Sequence, residues 1–259
     1  RSVILKSNNI NKNYKLAFRM YSTPSFINNA YKTDTIDQES KKFPAFADVI
    51  NLQNGGSNVY QEIKRSKNFQ ECTKVLQDNK SYLTQSHYLR AMKKFSDRGM
   101  PIEVVQLIKL MQEHGISMNI KIYTTLMKAY AKRGDVVSVR KYIEKMKTQD
   151  GILPDCRVYS ILITAYVNAD QLENAYNVLY ELKDNNIEPD IIVFSNLLRG
   201  YAKSGDVHTA TQLLNQAKNT GLPLKRHLYE PLIEAYTHMC DNDNVRMLKQ
   251  DMRKNGASW

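Results

Sequence analysis

Two series of aromatic residues recur along the chain with a period of about 35 residues. The first series, with successive spacings of 35, 36, 35 and 35 residues, is Tyr88, Tyr123, Tyr159, Phe194 and Tyr229. The second series stands seven residues after each member of the first and is Phe95, Tyr130, Tyr166, Tyr201 and Tyr236. A repeat of this length and regularity restricts the chain to architectures in which similar units pack on their neighbours.

Each unit contains two apolar stripes with the spacing of an amphipathic helix. The first stripe of the third unit, at i, i+3, i+4 and i+7, is Tyr159, Leu162, Ile163 and Tyr166. The second stripe of the same unit is Leu172, Ala175, Val178, Leu179 and Leu182. Spacings of three and four residues place each stripe on one face of a helix. A single pair of helices cannot bury both stripes, so neighbouring units have to stack.

Short polar turns separate the two helices of a unit. The turns of the second to fourth units read RGD, NAD and SGD, and Asp135, Asp206 and Asp241 recur at one place in the repeat. The Gly ends the first helix and the Asp caps the second, while Pro in the DGILPD and NNIEPD segments ends the second helix. We therefore predict an all-α fold, a right-handed α-solenoid of helix–turn–helix repeats, with units at residues 85–119, 120–155, 156–190, 191–225 and 226–259.

The chain that precedes these repeats divides into three segments. Residues 59–84 hold two short helical patterns, which we interpret as a degenerate hairpin that caps the stack. Residues 34–58 contain Pro44 and the turn-rich segment NLQNGGSN, which predicts an irregular linker. Residues 1–33 carry six Lys and Arg and no acidic residue, because the first acid is Asp34.

The composition of residues 1–33 has two interpretations. A Ser-rich, Arg-containing segment without acids is typical of a mitochondrial or plastid transit peptide. The RMYST segment at residues 19–23 is similar to a processing site, and we favour targeting to the mitochondrial matrix over the plastid. The alternative is a retained basic arm that binds RNA or a neighbouring protein. A short presequence followed by a retained arm would satisfy both interpretations.

The overall charge favours a polyanionic partner. The chain has 37 Lys and Arg against 26 Asp and Glu, a formal net charge of +11 and a pI near 9.4. The sequence has no run of 18 apolar residues, so we expect no membrane-spanning helix. The cysteines Cys72, Cys156 and Cys240 form no C-x-x-C pair, which argues against a disulfide scaffold and a zinc site. We expect neither a metal nor another cofactor.

The sequence also argues against an enzyme. It contains no phosphate loop, nucleophile elbow or G-x-G-x-x-G motif. The five His residues are scattered, and the HMCDNDN segment at residues 238–244 occupies the place of the interhelical turn, which favours a turn over a metal site. We find neither the several Asp of a fused metallonuclease nor the H-x-E and C-x-x-C of a deaminase-like domain. We therefore expect a non-catalytic chain.

Residues 85–259 resemble the pentatricopeptide repeat family. The features that carry the resemblance are the period of 35, an aromatic residue at the fourth place, turns such as AYAKRGD and GYAKSGD, and the closing I-x-P-D. The tetratricopeptide pattern fits poorly, because the place of its small Gly is filled by Met127, Ile163, Leu198 and Ile233. The resemblance implies binding of single-stranded RNA, with one base read by two or three side chains of each repeat.

In that family, the base-reading pair is the residue after the aromatic and the last residue of the same repeat. The resemblance therefore assigns base reading to Thr124 with Asp155, Ser160 with Asp190, and Ser195 with Lys225. A hydroxyl with an Asp implies a preference for guanine, whose N1–H and N2–H suit these groups. The first unit departs from the pattern with Leu89 and Asn119, and the fifth departs with Glu230.

The resemblance also implies residues that stack on bases or contact phosphates. The stacking place lies two residues before the aromatic and holds Lys121, Arg157 and Ile192 in the second to fourth units. An Arg at this place can stack its guanidinium on a base, whereas Lys121 suits a phosphate. Lys132 and Lys203 match the family's phosphate-contacting lysine, and Asn168 and His238 replace it in their units.

Two well-formed reading pairs supply too little discrimination to select one transcript, because each base contact contributes about 1–3 kcal/mol. We therefore expect an RNA-binding protein of organelle RNA metabolism or translation that works as a subunit of a larger ribonucleoprotein, such as the mitochondrial ribosome. Its partners would then be single-stranded RNA or rRNA and other proteins of that complex. The alternative is a helical-repeat scaffold that binds a protein in its concave groove without reading RNA.

Overall fold

The computed structural model describes residues 58–80 and 83–257, which form twelve helices and no β-strand. The predicted arm at residues 1–33, and all but the last residue of the predicted linker at residues 34–58, lie outside the described residues. The chain divides into an amino-terminal unit that ends at His87 and a repeat unit that begins at Tyr88.

The helices follow one another with short connections. In the amino-terminal unit, residues 58–65 form α1 and Phe69–Asp78 form α2. The unit boundary falls within α3 (Gln85–Ser96). The repeat unit continues with α4 (Pro101–Glu113), α5 (Ile120–Lys132), α6 (Val136–Thr148), α7 (Cys156–Asn168), α8 (Leu172–Asp184), α9 (Ile191–Ser204), α10 (Val207–Asn219), α11 (Arg226–His238) and α12 (Asn242–Lys254).

The helices of the repeat unit stack in consecutive pairs, as the two apolar stripes predict. The odd-numbered helices from α3 to α11 are the first helices of their pairs, and the even-numbered helices are the second. Helix α7 contacts its own partner α8 and also α5, α6 and α9 of the neighbouring pairs. This arrangement buries the stripes in one core that runs through successive repeats.

The first aromatic series ties the two helices of a pair together. Tyr88, Tyr123 and Tyr229 are fully buried. Their hydroxyls bond to groups at or just beyond the end of the second helix, at 2.5 Å from His114 Nδ1, 2.6 Å from Asp150 Oδ2 and 3.1 Å from Asp251 Oδ2. Burial raises the pKa of the Tyr88 and Tyr229 phenols to about 12. These tyrosines are therefore core residues with a satisfied polar end.

The second aromatic series ties neighbouring pairs together. The Tyr166 hydroxyl accepts a hydrogen bond from Arg140 Nε at 3.0 Å, and the Tyr201 hydroxyl donates to the Leu172 carbonyl at 3.0 Å. Both partners lie on the second helix of the preceding pair. The Arg140 guanidinium also donates to both carboxylate oxygens of Glu181, at 3.1 and 2.6 Å, and so links α6 to α8.

The predicted helix caps in the turns are confirmed. Asp135, Asp206 and Asp241 each accept a hydrogen bond from a backbone N–H in the first turn of the second helix, at 3.0, 3.0 and 3.1 Å. Hydrogen bonds from Thr209 lower the pKa of Asp206, and hydrogen bonds from Asn244 lower the pKa of Asp241. The HMCDNDN segment thus forms the same turn as the other repeats.

The residue before each cap adopts a left-handed backbone conformation. Glycine occupies this place in three repeats, but Asp170 and Cys240, both at φ 58°, occupy it in the other two. A side chain in this conformation costs about 1–2 kcal/mol, of which the greater flexibility of glycine in the unfolded chain returns a part. We therefore expect Cys240→Gly to raise the free energy of unfolding by about 1 kcal/mol, measured by urea denaturation.

The control for this substitution is Cys240→Ala, which removes the exposed thiol and keeps the unfavourable conformation. An equal gain from both substitutions would show that the thiol, and not the backbone, limits stability at this turn.

Candidate nucleic-acid interface

A groove of about 530 Å³ crosses four consecutive first helices of the repeat unit. Because residues at the same place in successive repeats lie side by side in a solenoid, the groove is a surface repeated from helix to helix. Its lining comes from α3, α5, α7 and α9 and the residues directly after them, and consists of Ser96, Asp97, Thr124, Lys128, Ala131, Lys132, Arg157, Ser160, Ile161, Thr164, Asn168, Ile192, Asn196 and Arg199.

Charge is distributed unequally between the two sets of helices. The four groove helices contain no Asp or Glu, and their cations are Arg90, Lys93, Lys94, Lys121, Lys128, Lys132, Arg157, Arg199 and Lys203. The second helices of the same pairs carry the acids Glu103, Glu113, Glu144, Glu173, Glu181 and Asp184. The pattern changes at α11, which carries Glu230 and Glu234. The groove helices therefore carry positive charge without compensating acids, which suits a polyanion.

The structure brings two of the three predicted hydroxyl groups into the groove. Thr124 and Ser160 line it, and each hydroxyl donates to a carbonyl of its own helix, at 3.0 Å to Lys121 O and at 2.8 Å to Arg157 O. Ser160 retains 6% of its surface exposed, and Ser195, at the same place of the next repeat, retains 4%. A hydroxyl whose proton is engaged offers its lone pairs, which are acceptors for base N–H groups.

The two predicted base-reading carboxylates are helix caps. Asp155 accepts from Val158 N at 3.1 Å and begins α7, and Asp190 accepts from Ile192 N and Val193 N at 3.0 Å and begins α9. The second oxygen of Asp155 pairs with two nitrogens of the Arg157 guanidinium, Nε at 2.9 Å and Nη2 at 2.8 Å. The groove lining includes neither carboxylate. Each Asp therefore holds the first turn of the helix that follows it.

The places corresponding to these caps differ in the outer repeats. Asn119 caps α5 by accepting from Ile122 N at 3.0 Å. Lys225 stands before α11 with its side chain exposed and forms no side-chain cap. The pair of Ser195 and Lys225 consequently combines a buried hydroxyl with an exposed cation, unlike the two pairs before it.

The predicted stacking and phosphate residues separate into two groups. Arg157, Ile192 and Lys132 line the groove, and the Arg157 side chain is 63% exposed. Lys121 is exposed outside the groove lining. Lys203 lines a second hollow of about 520 Å³, formed by α9 and α11 together with the turn after each helix.

Six polar groove residues are absent from the sequence-based prediction, namely Ser96, Asp97, Lys128, Thr164, Asn196 and Arg199. Lys128, Thr164 and Arg199 stand five residues after the buried aromatic, one helical turn beyond the predicted hydroxyl place. Asn196 Nδ2 donates to Thr164 Oγ1 at 3.0 Å and to Ser160 O at 3.2 Å, which connects α9 to α7. Applying the i, i+4 relation to the hydroxyl place would have found the three residues five places after the aromatic.

The resolved pKa shifts of Tyr and Cys in the repeat unit move these groups away from neutral pH. Burial raises the pKa of the Cys156 thiol to about 11 and the pKa of the Tyr130 phenol to about 12. A general acid or base requires the opposite adjustment. In residues 58–80 and 83–257, no group of three or more His, Cys, Asp or Glu is arranged to hold a metal ion. No helix in the described part of the chain has the length and hydropathy needed to cross a membrane.

Two family models match the chain. The model described as the pentacotripeptide-repeat region of PRORP matches residues 78–206, and the model described as a pentatricopeptide repeat domain matches residues 177–239. Both matches fall on the repeat series identified from the aromatic spacing.

The chain is also similar to proteins of Arabidopsis thaliana. A chloroplastic pentatricopeptide repeat-containing protein is 41% identical over 64 residues, which are 24% of this chain and 8% of that protein. A second chloroplastic one is 28% identical over 131 residues, which are 51% of this chain and 14% of that protein. The small ribosomal subunit protein mL103 is 23% identical over 213 residues, covering 67% of this chain and 50% of that protein. The chain thus spans half of mL103 and far less of the chloroplastic relatives.

Solved structures show the same fold. The pentatricopeptide repeat protein PPR10, in complex with an 18-nt psaJ RNA element, is 18% identical with a TM-score of 0.63, and the match covers 73% of this chain and 28% of that one. The pentatricopeptide repeat domain of Arabidopsis thaliana protein-only RNase P 1, in complex with tRNA, is 16% identical with a TM-score of 0.50. The match covers 65% of this chain and 88% of that one. The predicted all-α, right-handed solenoid of helix–turn–helix repeats is therefore confirmed.

Proposed function

Because the chain belongs to the pentatricopeptide repeat family, we propose that its repeat unit binds single-stranded RNA along the groove of α3, α5, α7 and α9. The observation that carries this proposal is the complete absence of acids from these four helices, against six acids on their partner helices. Neighbouring structures were solved with RNA, which supports the same ligand class.

The charge pattern has a direct physical consequence for binding. Each nucleotide of RNA carries one phosphate, and cations that neutralise phosphates release condensed counterions. Binding along these four acid-free helices should therefore weaken steeply as salt increases. Glu230 and Glu234 on α11 repel phosphate, so we place the RNA on the first four groove helices.

Base reading is assigned to Thr124 with Asp155 and to Ser160 with Asp190, with a preference for guanine at both. The hydroxyls of Thr124 and Ser160 offer acceptors in the groove, which supports a base edge rich in N–H donors. The Arg157 guanidinium, fixed by Asp155, is available to stack on a base, and Ile192 offers an apolar contact in the next repeat.

The cap function of the two Asp residues determines how base reading can be tested. An Asp→Ala substitution would remove a helix cap as well as the base contact, whereas Asn keeps the capping acceptor. We expect Asp155→Asn and Asp190→Asn together to reduce the preference for G-containing over poly(U) oligonucleotides about tenfold, since one base contact contributes about 1–3 kcal/mol. Filter binding at low salt measures both affinities, and circular dichroism checks that the helices persist.

The control for this experiment is Asp206→Asn, which changes an equivalent cap outside the reading places. Wild-type protein that binds no single-stranded RNA at low salt would refute the proposed function. An undiminished preference for G in the double variant would refute only the assignment of the two carboxylates.

We assign the protein to organelle RNA metabolism or translation, in the mitochondrial matrix, as a subunit of a larger ribonucleoprotein such as the mitochondrial ribosome. The acid-free composition of residues 1–33 supports import, and the similarity to a small ribosomal subunit protein supports the assembly. The chloroplastic relatives favour the plastid as the alternative compartment. Co-sedimentation of the native protein with ribosomal subunits in an organelle extract tests both assignments.

A second candidate function is a scaffold that binds a protein segment in the groove. The apolar Leu89 and the acidic Glu230, at the hydroxyl places of the first and fifth repeats, favour this function. Crosslinking in the native complex separates the two, because peptides near residues 124–157 would join to RNA in the first case and only to protein in the second. We propose no catalytic step for the repeats.

A further inference from the structure

On the basis of the proposed RNA binding, we infer that Lys128 and Arg199 hold the phosphates of the bound strand, and that Lys132 connects neighbouring repeats instead. Lys128 and Arg199 belong to a row that stands five residues after each buried aromatic. This row, named here the distal row, comprises Lys93, Lys128, Thr164, Arg199 and Glu234.

Lys132 has a structural partner that the distal-row cations lack. Its ammonium donates to the carbonyl of Asp97, in the turn of the preceding repeat. Asn168, at the same place of the next repeat, also donates to a backbone carbonyl near the end of the preceding first helix, from its Nδ2 to Ala131 O at 2.8 Å, one place earlier in the repeat than Asp97. An amide and an ammonium that both donate to a carbonyl near the end of the preceding first helix indicate a connection between repeats, which requires a donor but no charge.

Lys128 and Arg199 are free for a ligand. Both side chains line the groove and are exposed. In the part of the chain that the structure describes, neither forms an ion pair, whereas Arg140 and Arg157 are paired with Glu181 and Asp155. A cation that forms no ion pair is available to bind a phosphate.

The distal row has no cation in the third and fifth repeats. Thr164 replaces the cation in the third repeat, and its hydroxyl donates to Ser160 O at 2.8 Å and accepts from Asn196. Glu234 reverses the charge in the fifth repeat. Among its members that line the groove, the row therefore offers phosphate contacts at the second and fourth repeats, separated by one repeat with uncharged polar groups.

The test is the salt dependence of binding to a poly(U) oligonucleotide. Each phosphate contact contributes about 0.7 to the slope of log K against log salt for a single strand. We expect Lys128→Gln with Arg199→Gln to reduce the slope by about 1.4 and to weaken binding about twentyfold at about 0.1 M salt. The matched control, Lys109→Gln with Lys141→Gln, removes two exposed cations from the second helices and should leave the slope nearly unchanged.

Lys132→Gln separates the two roles, because it removes the charge and keeps a donor, as Asn168 does. We expect it to leave the slope unchanged. A slope reduced by Lys132→Gln and not by the Lys128 and Arg199 substitutions would overturn the inference. An equal reduction of the slope in the distal-row variant and in the control variant would also overturn it. If the wild-type protein bound no RNA, the proposed function itself would fail. If the wild-type protein bound RNA and the Lys128 and Arg199 variant kept the wild-type slope, only this inference would fail.

Discussion

Gly134→Ala is expected to lower the free energy of unfolding by about 3 kcal/mol. Gly134 has φ 71°, a conformation in which a Cβ atom costs about 1–2 kcal/mol. A Cβ atom here would also lie 3.1 Å from the backbone N of Ala169 and from the backbone C and O of Asn168. Backbone atoms of a neighbouring repeat cannot rotate away as a side chain can, so relieving this contact would cost a further 1–3 kcal/mol or so. Urea denaturation followed by circular dichroism measures the loss.

Gly205→Ala is the matched control for this prediction. Gly205 occupies the same place of another repeat with φ 86°, and a Cβ atom there would meet nothing within 4 Å. The Gly205→Ala variant should lose only the conformational part of the free energy of unfolding, about 1 kcal/mol. Equal losses at the two glycines would show that the close approach of the two turns contributes nothing to the stack.

Gly200→Ala is expected to lower the free energy of unfolding by about 1 kcal/mol, although alanine is the better helix former. A Cβ atom on Gly200 would lie 2.8 Å from Val167 Cγ2 and 3.0 Å from Leu172 Cδ2. Overpacking of this kind costs about 1–3 kcal/mol, of which the gain in helix propensity returns about 1. The measurement is again the urea denaturation midpoint and slope.

Val167→Ala should reverse the effect of Gly200→Ala. In the neighbouring repeats the corresponding positions hold two alanines, Ala131 with Ala165 and Ala202 with Ala235. At this contact, Gly200 and Val167 therefore stand where the neighbouring repeats have two alanines, so that the larger valine faces a residue without a side chain. In the Val167→Ala background we expect Gly200→Ala to be neutral or stabilising, which a double-mutant cycle detects. The same loss in both backgrounds would exclude Val167 as the cause.

The helical repeats were predictable because their signals are local. The aromatic series and the i, i+3, i+4 stripes predict the helix pairs. The recurrence of Asp135, Asp206 and Asp241 at one place in the repeat predicts helix caps, and the structure contains all three. Gln171 stands at the cap place of the third pair without a side-chain cap bond, because the Asp of the NAD turn is shifted by one residue to the left-handed place.

The site was predictable only in part, since a side chain's partners depend on the neighbouring repeat. The stacking places of Arg157 and Ile192 follow from position in the repeat, and both line the groove. The sequence does not show that Lys132 donates to Asp97 O, because that carbonyl lies 35 residues earlier in the chain. The groove also extends to Lys128 and Arg199, one helical turn beyond the hydroxyl place, which the prediction did not include.

The sequence alone determined the period, the helix pairs, their caps and the family, because each depends on the identity of residues within one repeat. Only the tertiary structure decided which cations face the groove unpaired and which glycines lie against a neighbouring turn. The reason is physical: stacking sets the distances between residues about 35 positions apart, and those distances determine which polar groups are already bonded and which remain available for a ligand.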